Sequence, residues 1–152
     1  MTTTSAKTSA NPETKNTDNR ASRVWPCLAY TDARAAIRFL VETLGFTESA
    51  VYGDGDRVDH AELTWPYGGG VMLGSAGRDT PIDQHTDNGS VYLVVPDDAT
   101  ADALYDKVRE SDATVTVELR DEDYGSHGFT CRDPHGVYWS IGTYPGQGRS
   151  GE

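Results

Sequence analysis

Two side chains suited to metal binding or proton transfer stand two positions apart on one predicted strand of this sequence. His60 and Glu62 point to the same side of RVDHAELTW, and an imidazole beside a carboxylate can hold a metal ion or transfer a proton. The alternative for this face is exposure to solvent. His127 opens a later strand, HGFTCRD, where it either lines a pocket or packs against the core. A metal site built from His60, Glu62 and His127 requires these two strands to meet.

Other chemistry-bearing motifs have simpler interpretations. Cys27 and Cys131 are too few for a disulfide scaffold and lack metal-type spacing, so we expect two buried thiols. The acidic run 121–123 lacks the pattern of a calcium loop and is expected to be a solvated loop. The glycine-rich segments 53–56 and 68–70 follow no phosphate-loop pattern, so both are expected to be turns.

Composition limits the class of protein. The chain has 152 residues with 24 acidic and 13 basic side chains, a net charge of −11, and 36% hydrophobic residues. This size and hydrophobic content fit one domain, and the acidity argues against a nucleic-acid partner. No apolar run approaches the ~18 residues of a membrane span, and no signal-peptide pattern opens the chain. We therefore expect a soluble, cytoplasmic protein with no membrane contact.

The ends of the chain differ from its middle. Residues 1–22 are rich in Thr, Ser, Ala and Asn, with no large apolar side chain after Met1, so we expect a disordered N-terminal tail. Residues 146–152 are expected to form a loose C-terminal tail. Between them, residues 23–145 form the predicted domain, with a polar linker at 76–88.

The predicted elements repeat once along the domain. The modules 24–75 and 89–144 each show a strand, a one-sided helix and three more strands. Asp32 and Asp97 stand at the same place before the two helices, which gives a repeat of about 65 residues. A pair of β-α-β-β-β modules predicts an α+β fold, in which a curved, mostly antiparallel sheet surrounds a concave pocket.

Three segments carry a resemblance to a known family. They are LAYTDARAAIRFLVETLGF, GSVYLVV followed by a helix, and YGSHGFTCRDPHGVYWSIGTY. Together they resemble the vicinal oxygen chelate superfamily, which includes glyoxalase I, bleomycin resistance proteins and extradiol dioxygenases. The resemblance covers residues 24–144 and implies the paired-module fold. It leaves the activity open, because one fold serves isomerases, dioxygenases, transferases and non-catalytic binders.

The resemblance also implies where a divalent metal would be held. Enzymes of the superfamily place His, Gln or Glu at one position on the first and last strands of each module. The matching positions here are Trp25, Met72 (Leu73 if the register shifts by one), Ser90 and Ser140. An indole, a thioether and two hydroxyls are poor ligands for such ions. We therefore expect no metal at these positions and no cofactor.

The same positions predict the floor of the pocket. If Ser90 and Ser140 point inward, strand alternation also turns Tyr92 and Tyr138 inward. The predicted floor consists of Trp25, Met72, Ser90, Tyr92, Tyr138 and Ser140, with His60, Glu62 and His127 as further candidate ligand contacts. Aromatic faces with a few hydroxyls suit a planar or aromatic ligand. The alternative is that these aromatic rings only fill space in the core.

Three functions remain open at this point. The first is a protein of the bleomycin-resistance type, which sequesters a small molecule, such as an antibiotic, without metal chemistry. The second is a metal-dependent lyase, isomerase or dioxygenase whose ligands have moved to residues such as His60, Glu62 and His127. The third is a regulatory or scaffold protein with a filled pocket. The resemblance also implies a homodimer, the commonest state of soluble oligomers.

Overall fold

The computed structural model describes residues 22–147. The predicted tails, 1–22 and 146–152, lie outside this range except for Ser22 at one end and residues 146–147 at the other. Within the described range, no helix is long and apolar enough to cross a membrane.

Each half of the chain contributes one helix and four strands. The first half contains β1 (Cys27–Tyr30), α1 (Ala33–Phe39), β2 (Thr47–Asp54), β3 (Arg57–Thr64) and β4 (Gly70–Ser75). The second half contains β5 (Ser90–Val94), α2 (Asp98–Arg109), β6 (Thr114–Asp121), β7 (His127–Arg132) and β8 (Tyr138–Gly142). A π-helical turn, Leu40–Leu44, extends α1, and a 3-10 turn, Pro81–His85, lies between the halves.

The strands form two four-stranded sheets with the same topology. The N-terminal sheet has the order β1-β4-β3-β2 and the C-terminal sheet the order β5-β8-β7-β6. In each sheet the first strand pairs in parallel with the last, and the other pairs are antiparallel. The predicted α+β class with curved, mostly antiparallel sheets is confirmed. The strand pairing differs in one respect, because it gives two separate sheets instead of one continuous sheet.

Matching caps position the two helices. Asp32 precedes α1 and its carboxylate accepts a hydrogen bond from the Ala35 N–H at 3.1 Å. Asp97 precedes α2 and caps it through the Thr100 N–H at 2.9 Å. These bonds satisfy amides that have no partner inside a helix. Gly45, with a φ of 95°, ends the π-helical turn in the left-handed conformation that glycine adopts readily.

The two halves share one hydrophobic core. Buried residues from both sheets and both helices form a single cluster. Within it, the Phe46 ring packs edge-on against Trp139 with centroids 5.7 Å apart. The Trp65 indole N–H donates to the Val94 carbonyl oxygen at 2.7 Å, which joins the end of β3 to β5. Burial of apolar surface, at roughly 25 cal/mol per Å², therefore holds the halves together.

A buried carboxylate adds a polar connection between the halves. Asp133, 2% exposed, lies in the turn between β7 and β8, and one of its oxygens accepts the backbone N–H groups of residues 135–137 at 2.8 to 3.0 Å. Its other oxygen accepts the Tyr30 hydroxyl at 2.7 Å and the Trp139 indole N–H at 2.9 Å. Burial, reinforced by Asp133, raises the pKa of Tyr30 far above its ordinary value. The DPHG turn of the second half is thus bonded to β1 of the first.

The predicted linker, 76–88, is bonded to the first half. The Asp87 N–H donates to the Ala29 carbonyl oxygen at 2.8 Å. The Asp87 carboxylate accepts the Thr31 N–H at 2.9 Å and the Thr31 hydroxyl at 2.6 Å. Although the sequence of this segment is polar, hydrogen bonds to β1 and its end fix its path.

Candidate functional site

Each sheet has one face packed on the core and an opposite face, here called the open face, that is only partly covered. On the N-terminal sheet, Cys27 pairs with Met72, which pairs with Glu62 on β3. His60 pairs with Tyr52 of β2 on the same open face. Cys27 is exposed, so the expectation of two buried thiols was wrong for this residue.

His60 and Glu62 form a hydrogen-bonded pair on this open face. The His60 Nε2 and Glu62 Oε2 atoms are 2.8 Å apart, and the side chains are 41% and 36% exposed. The Tyr52 ring stacks beside the imidazole at 6.4 Å with an interplanar angle of 17°. The carboxylate fixes the orientation of the ring, so this pair could accept a proton from a molecule bound on the sheet.

The open face of the C-terminal sheet carries a row of hydroxyl groups. Tyr92 pairs with Ser140, which pairs with Thr130, and the hydroxyl oxygens of Ser140 and Thr130 are 2.9 Å apart. In the next row, Ser90 pairs with Tyr138. A cavity of about 160 Å³ lies over the first row. Drug-sized ligands occupy roughly 300 to 1,000 Å³, so this cavity alone is too small for one.

A larger cavity lies between β5 and the first half of the chain, and we call it the seam cavity. It has a volume of about 470 Å³. Its lining consists of Ser22, Val24, Pro26, Phe46, Trp65, Tyr67, Gly68, Gly69, Gly70, Val71, Val91, Tyr92, Leu93, Val94 and Pro145. Tyr67 and Tyr92 are 51% and 44% exposed, whereas Phe46 and Trp65 are buried. A lining with two exposed and two buried aromatic rings offers a surface suited to stacking.

Sequence reasoning found one of these four aromatic residues, Tyr92, and missed the other three. Phe46 follows α1, and Trp65 and Tyr67 follow β3, so strand alternation did not place them in a pocket. Trp65 contacts both others, with ring centroids 4.9 Å from Phe46 and 5.6 Å from Tyr67. The segment TWPYGGG holds two aromatic residues beside a glycine turn, and this was the available signal.

Tyr92 lines both the seam cavity and the smaller cavity. Its hydroxyl donates to the Tyr144 carbonyl oxygen at 2.7 Å. Gly142 makes room for the ring, because a Cβ atom at that position would lie 2.8 Å from the Tyr92 hydroxyl oxygen and 2.6 Å from Ser126 Oγ. Because Gly142 has no side chain, the ring of Tyr92 can lie against β8 at this position.

The four positions at which the resemblance implies metal ligands are divided between the two halves of the chain, and Trp25 precedes β1 instead of lying on it. Trp25 packs against Gly70, a residue of the seam cavity lining, and a Cβ on this glycine would lie 2.7 Å from the indole ring. Met72 and Ser140 lie on different sheets, and Ser90 lines a third cavity beside Cys27. The Ser140 hydroxyl is bonded to Thr130. Indole, thioether and hydroxyl groups do not fit a divalent metal of this superfamily.

His127 lies on the other side of its sheet from Ser140. Its Nε2 is 2.7 Å from Asp102 of α2, and its Nδ1 is 2.7 Å from Asp121 of β6. These hydrogen bonds, that to Asp102 first, raise the pKa of His127 above its ordinary value. The strands of His60 and His127 belong to different sheets, so within one chain the structure does not bring His127 to the His60–Glu62 pair.

Cys131 contrasts with Cys27. It is buried, and burial raises the pKa of its thiol to about 12. A thiol with such a pKa is protonated at neutral pH and is not a nucleophile.

The paired β-α-β-β-β halves define a class of protein with the vicinal oxygen chelate fold. The sequence model described as Glyoxalase/Bleomycin resistance protein/Dioxygenase superfamily matches residues 23–141. The chain therefore belongs to the glyoxalase/bleomycin resistance protein/dioxygenase superfamily.

Solved structures share this fold. TioX from Micromonospora sp. ML1 is 25% identical with a TM-score of 0.66, covering 80% of this chain and 98% of TioX. A glyoxalase/bleomycin resistance protein/dioxygenase from Nocardioides is 18% identical with a TM-score of 0.60, covering 92% and 94%. The bleomycin-binding protein of Streptomyces verticillus, complexed with copper(II)-bleomycin, is 21% identical with a TM-score of 0.53, covering 78% and 92%. Comparison with curated protein sequences gave no match.

Proposed function

We propose that this protein binds a small planar or aromatic molecule in the seam cavity and sequesters it without metal chemistry. The observation that carries this proposal is a cavity of about 470 Å³ bordered by Phe46, Trp65, Tyr67 and Tyr92. Its volume lies within the roughly 300 to 1,000 Å³ typical of small-molecule sites. An antibiotic or similar toxic compound held in this way would be kept from its target.

The lining indicates how such a ligand would be held. The hydroxyl of Tyr92 is already bonded to the Tyr144 carbonyl oxygen, so its ring face is the part that a ligand would contact. Tyr67, at 51% exposed, offers the second open ring. Stacking on these rings would supply most of the affinity, and the net charge of −11 would favour cationic ligands through long-range attraction.

A structural neighbour shows that this fold can hold a small molecule. The Streptomyces verticillus protein is a bleomycin-binding protein with the same fold, but at 21% identity the likeness concerns the fold alone. The alternative of a metal-dependent enzyme built on His60, Glu62 and His127 lacks support within one chain, because those residues lie on different sheets. We also propose that the protein is cytoplasmic, as the sequence predicts.

We also propose that the protein is a homodimer whose open faces are covered by the second copy. Tyr52, Tyr124 and Tyr138 are 46%, 62% and 38% exposed on or beside these faces. Exposed aromatic rings are enriched at protein interfaces. Light scattering coupled to size-exclusion chromatography would test this, and a mass of one chain at all concentrations would contradict it.

Tryptophan fluorescence can test the binding proposal, because Trp65 lies in the seam cavity. We would titrate the full chain with planar aromatic compounds, with and without chelator. The variant Tyr67→Ala should weaken binding about tenfold, since it removes a stacking surface worth about 1 to 2 kcal/mol. Tyr52→Ala is the matched control, because Tyr52 is similarly exposed but lies on β2, outside the lining of the seam cavity.

These titrations test both the role of metal and the position of the binding site. Chelator should leave the affinity unchanged, because no metal takes part in holding the ligand. An equal loss of affinity in Tyr67→Ala and Tyr52→Ala would contradict the seam cavity as the site. Loss of binding on chelation, while circular dichroism shows that the chain is still folded, would contradict the absence of metal chemistry.

A further inference from the structure

A second group of chemistry-bearing side chains lies where α2 packs on the C-terminal sheet, and we call it the His127 cluster. It consists of Asp98 and Asp102 on α2, Asp121 at the end of β6 and His127 at the start of β7. The two aspartates on the helix are four residues apart, which places them on the same face of the helix. The sequence scatters these residues over 30 positions, and the packing of α2 brings them together.

The distances within the His127 cluster suit one small ion. Asp98, Asp121 and His127 each offer a ligand atom, and these atoms lie within 4.8 Å of one another. Ligands bound to one zinc ion at about 2.1 Å are separated by about 3.4 Å, so small side-chain rotations are sufficient. The ligand atoms come from a helix and two strands, so an ion here would join three elements of the fold.

The environment of the imidazole is also that of a metal ligand. The His127 side chain is 19% exposed, with Nδ1 facing Asp121 and Nε2 facing Asp102. A histidine bound to a metal usually donates its other ring N–H to a carboxylate, which fixes the orientation of the ring. Asp102, 2.7 Å from Nε2, is in place to accept that hydrogen bond.

The charge of the His127 cluster is unbalanced. It contains three carboxylates and one imidazole, a net charge of −2 even with the ring protonated. Among residues 22–147, His127 is the one basic side chain that forms an ion pair with any of these three aspartates. Carboxylates held this close repel one another in the absence of a cation.

We propose that the His127 cluster is a structural zinc site, with Asp98, Asp121 and His127 as ligands and Asp102 as the hydrogen-bond acceptor that orients the imidazole. An imidazole with carboxylates favours zinc over calcium or magnesium, which take oxygen ligands. The ion joins α2 to the β6–β7 hairpin on the core-facing side of the sheet. The proposal does not rest on ligand binding in the seam cavity, whose lining shares no residue with the cluster.

The test is zinc binding by the full chain after treatment with chelator. Isothermal calorimetry should show one equivalent bound, elemental analysis after desalting should agree, and saturating zinc should raise the melting temperature by about 5 to 10 °C. The variants Asp98→Asn and His127→Gln should bind zinc at least about tenfold more weakly. Asp106→Asn is the matched control, because Asp106 is exposed on α2 but lies outside the cluster.

A second control tests whether the His60–Glu62 pair contributes to zinc binding. Glu62→Gln should leave zinc binding unchanged, and its loss in that variant would overturn the proposal. So would an absence of zinc uptake by the wild type, equal uptake by Asp98→Asn, or a preference for calcium or magnesium. If His127→Gln fails to fold by circular dichroism, Asp98→Asn decides the question, because Asp98 is exposed and its change removes no core contact.

Discussion

Replacing Asp133 by Asn tests the buried carboxylate that joins the two halves of the chain. Asn has the same size and keeps one oxygen that can accept the backbone N–H groups of residues 135–137. It presents an NH₂ donor, however, where the carboxylate accepts both the Tyr30 hydroxyl and the Trp139 indole N–H. The tyrosine hydroxyl can rotate and become an acceptor, but the indole cannot. The indole N–H of Trp139, which is fully buried, therefore faces another donor.

The magnitude follows from these bonds. A hydrogen bond to a charged group contributes about 1.5 to 3 kcal/mol, and a buried donor without an acceptor costs about 1 to 3 kcal/mol. We expect Asp133→Asn to lower the free energy of unfolding by about 3 kcal/mol. Tyr30→Phe removes one of five donors and leaves the carboxylate with four, so its cost should be about 1.5 kcal/mol.

The assay is equilibrium unfolding in urea, followed by circular dichroism and fluorescence. A double-mutant cycle should show that Tyr30→Phe costs about 1 kcal/mol less in the Asp133→Asn background, because the two residues share one hydrogen bond. Tyr52→Phe, at a 46% exposed ring, should change the stability by less than about 0.5 kcal/mol. A cost below about 1 kcal/mol for Asp133→Asn, or equal costs of Tyr30→Phe in both backgrounds, would refute the reasoning.

Three further predictions concern pH, a turn and the seam cavity. Because hydrogen bonds raise the folded pKa of His127, its contribution to stability is complete below its ordinary pKa of 6.5 and is lost as the pH rises through the folded pKa. In the presence of chelator, raising the pH from about 6 to about 9 should therefore lower the melting temperature of the wild type more than that of His127→Gln. Equal decreases in the two proteins would contradict this prediction. Gly45→Ala should cost about 1 kcal/mol in urea unfolding, since φ there is 95°, and an unchanged stability would show that the turn adapts. Gly142→Ala should displace the ring of Tyr92 and weaken ligand binding in fluorescence titrations, whereas Gly146→Ala, outside the cavities, should not.

The repeated module could be predicted from the sequence because its signals are local. Asp32 and Asp97 cap helices through bonds to residues three positions away, so a short window contains the whole interaction. Alternation along the strands is also local, and it placed His60 and Glu62 on one side of β3, where the structure has them. The DPHG turn is local in the same way, because the Asp133 carboxylate accepts a hydrogen bond from the Gly136 N–H three positions later.

The hydrogen-bond partners of His127 and the lining of the seam cavity depend on contacts between residues that are far apart in the chain, which no local pattern contains. Alternation put His127 on the side of Phe129, but only the packing of α2 over that face supplied Asp102 and gave the imidazole its partners. Similarly, Trp65 follows β3 and its indole bonds to Val94 of the other half.

The sequence by itself therefore determined the order of the elements and the faces of the strands, and it has a thioether and a hydroxyl, Met72 and Ser140, at two positions where the resemblance implies metal ligands. The tertiary structure alone decided where a cavity opens and which distant carboxylates meet His127. The physical reason is range: hydrogen bonds and alternation act over a few residues, whereas burial of apolar surface joins residues such as Phe46 and Trp139 that are far apart in the chain.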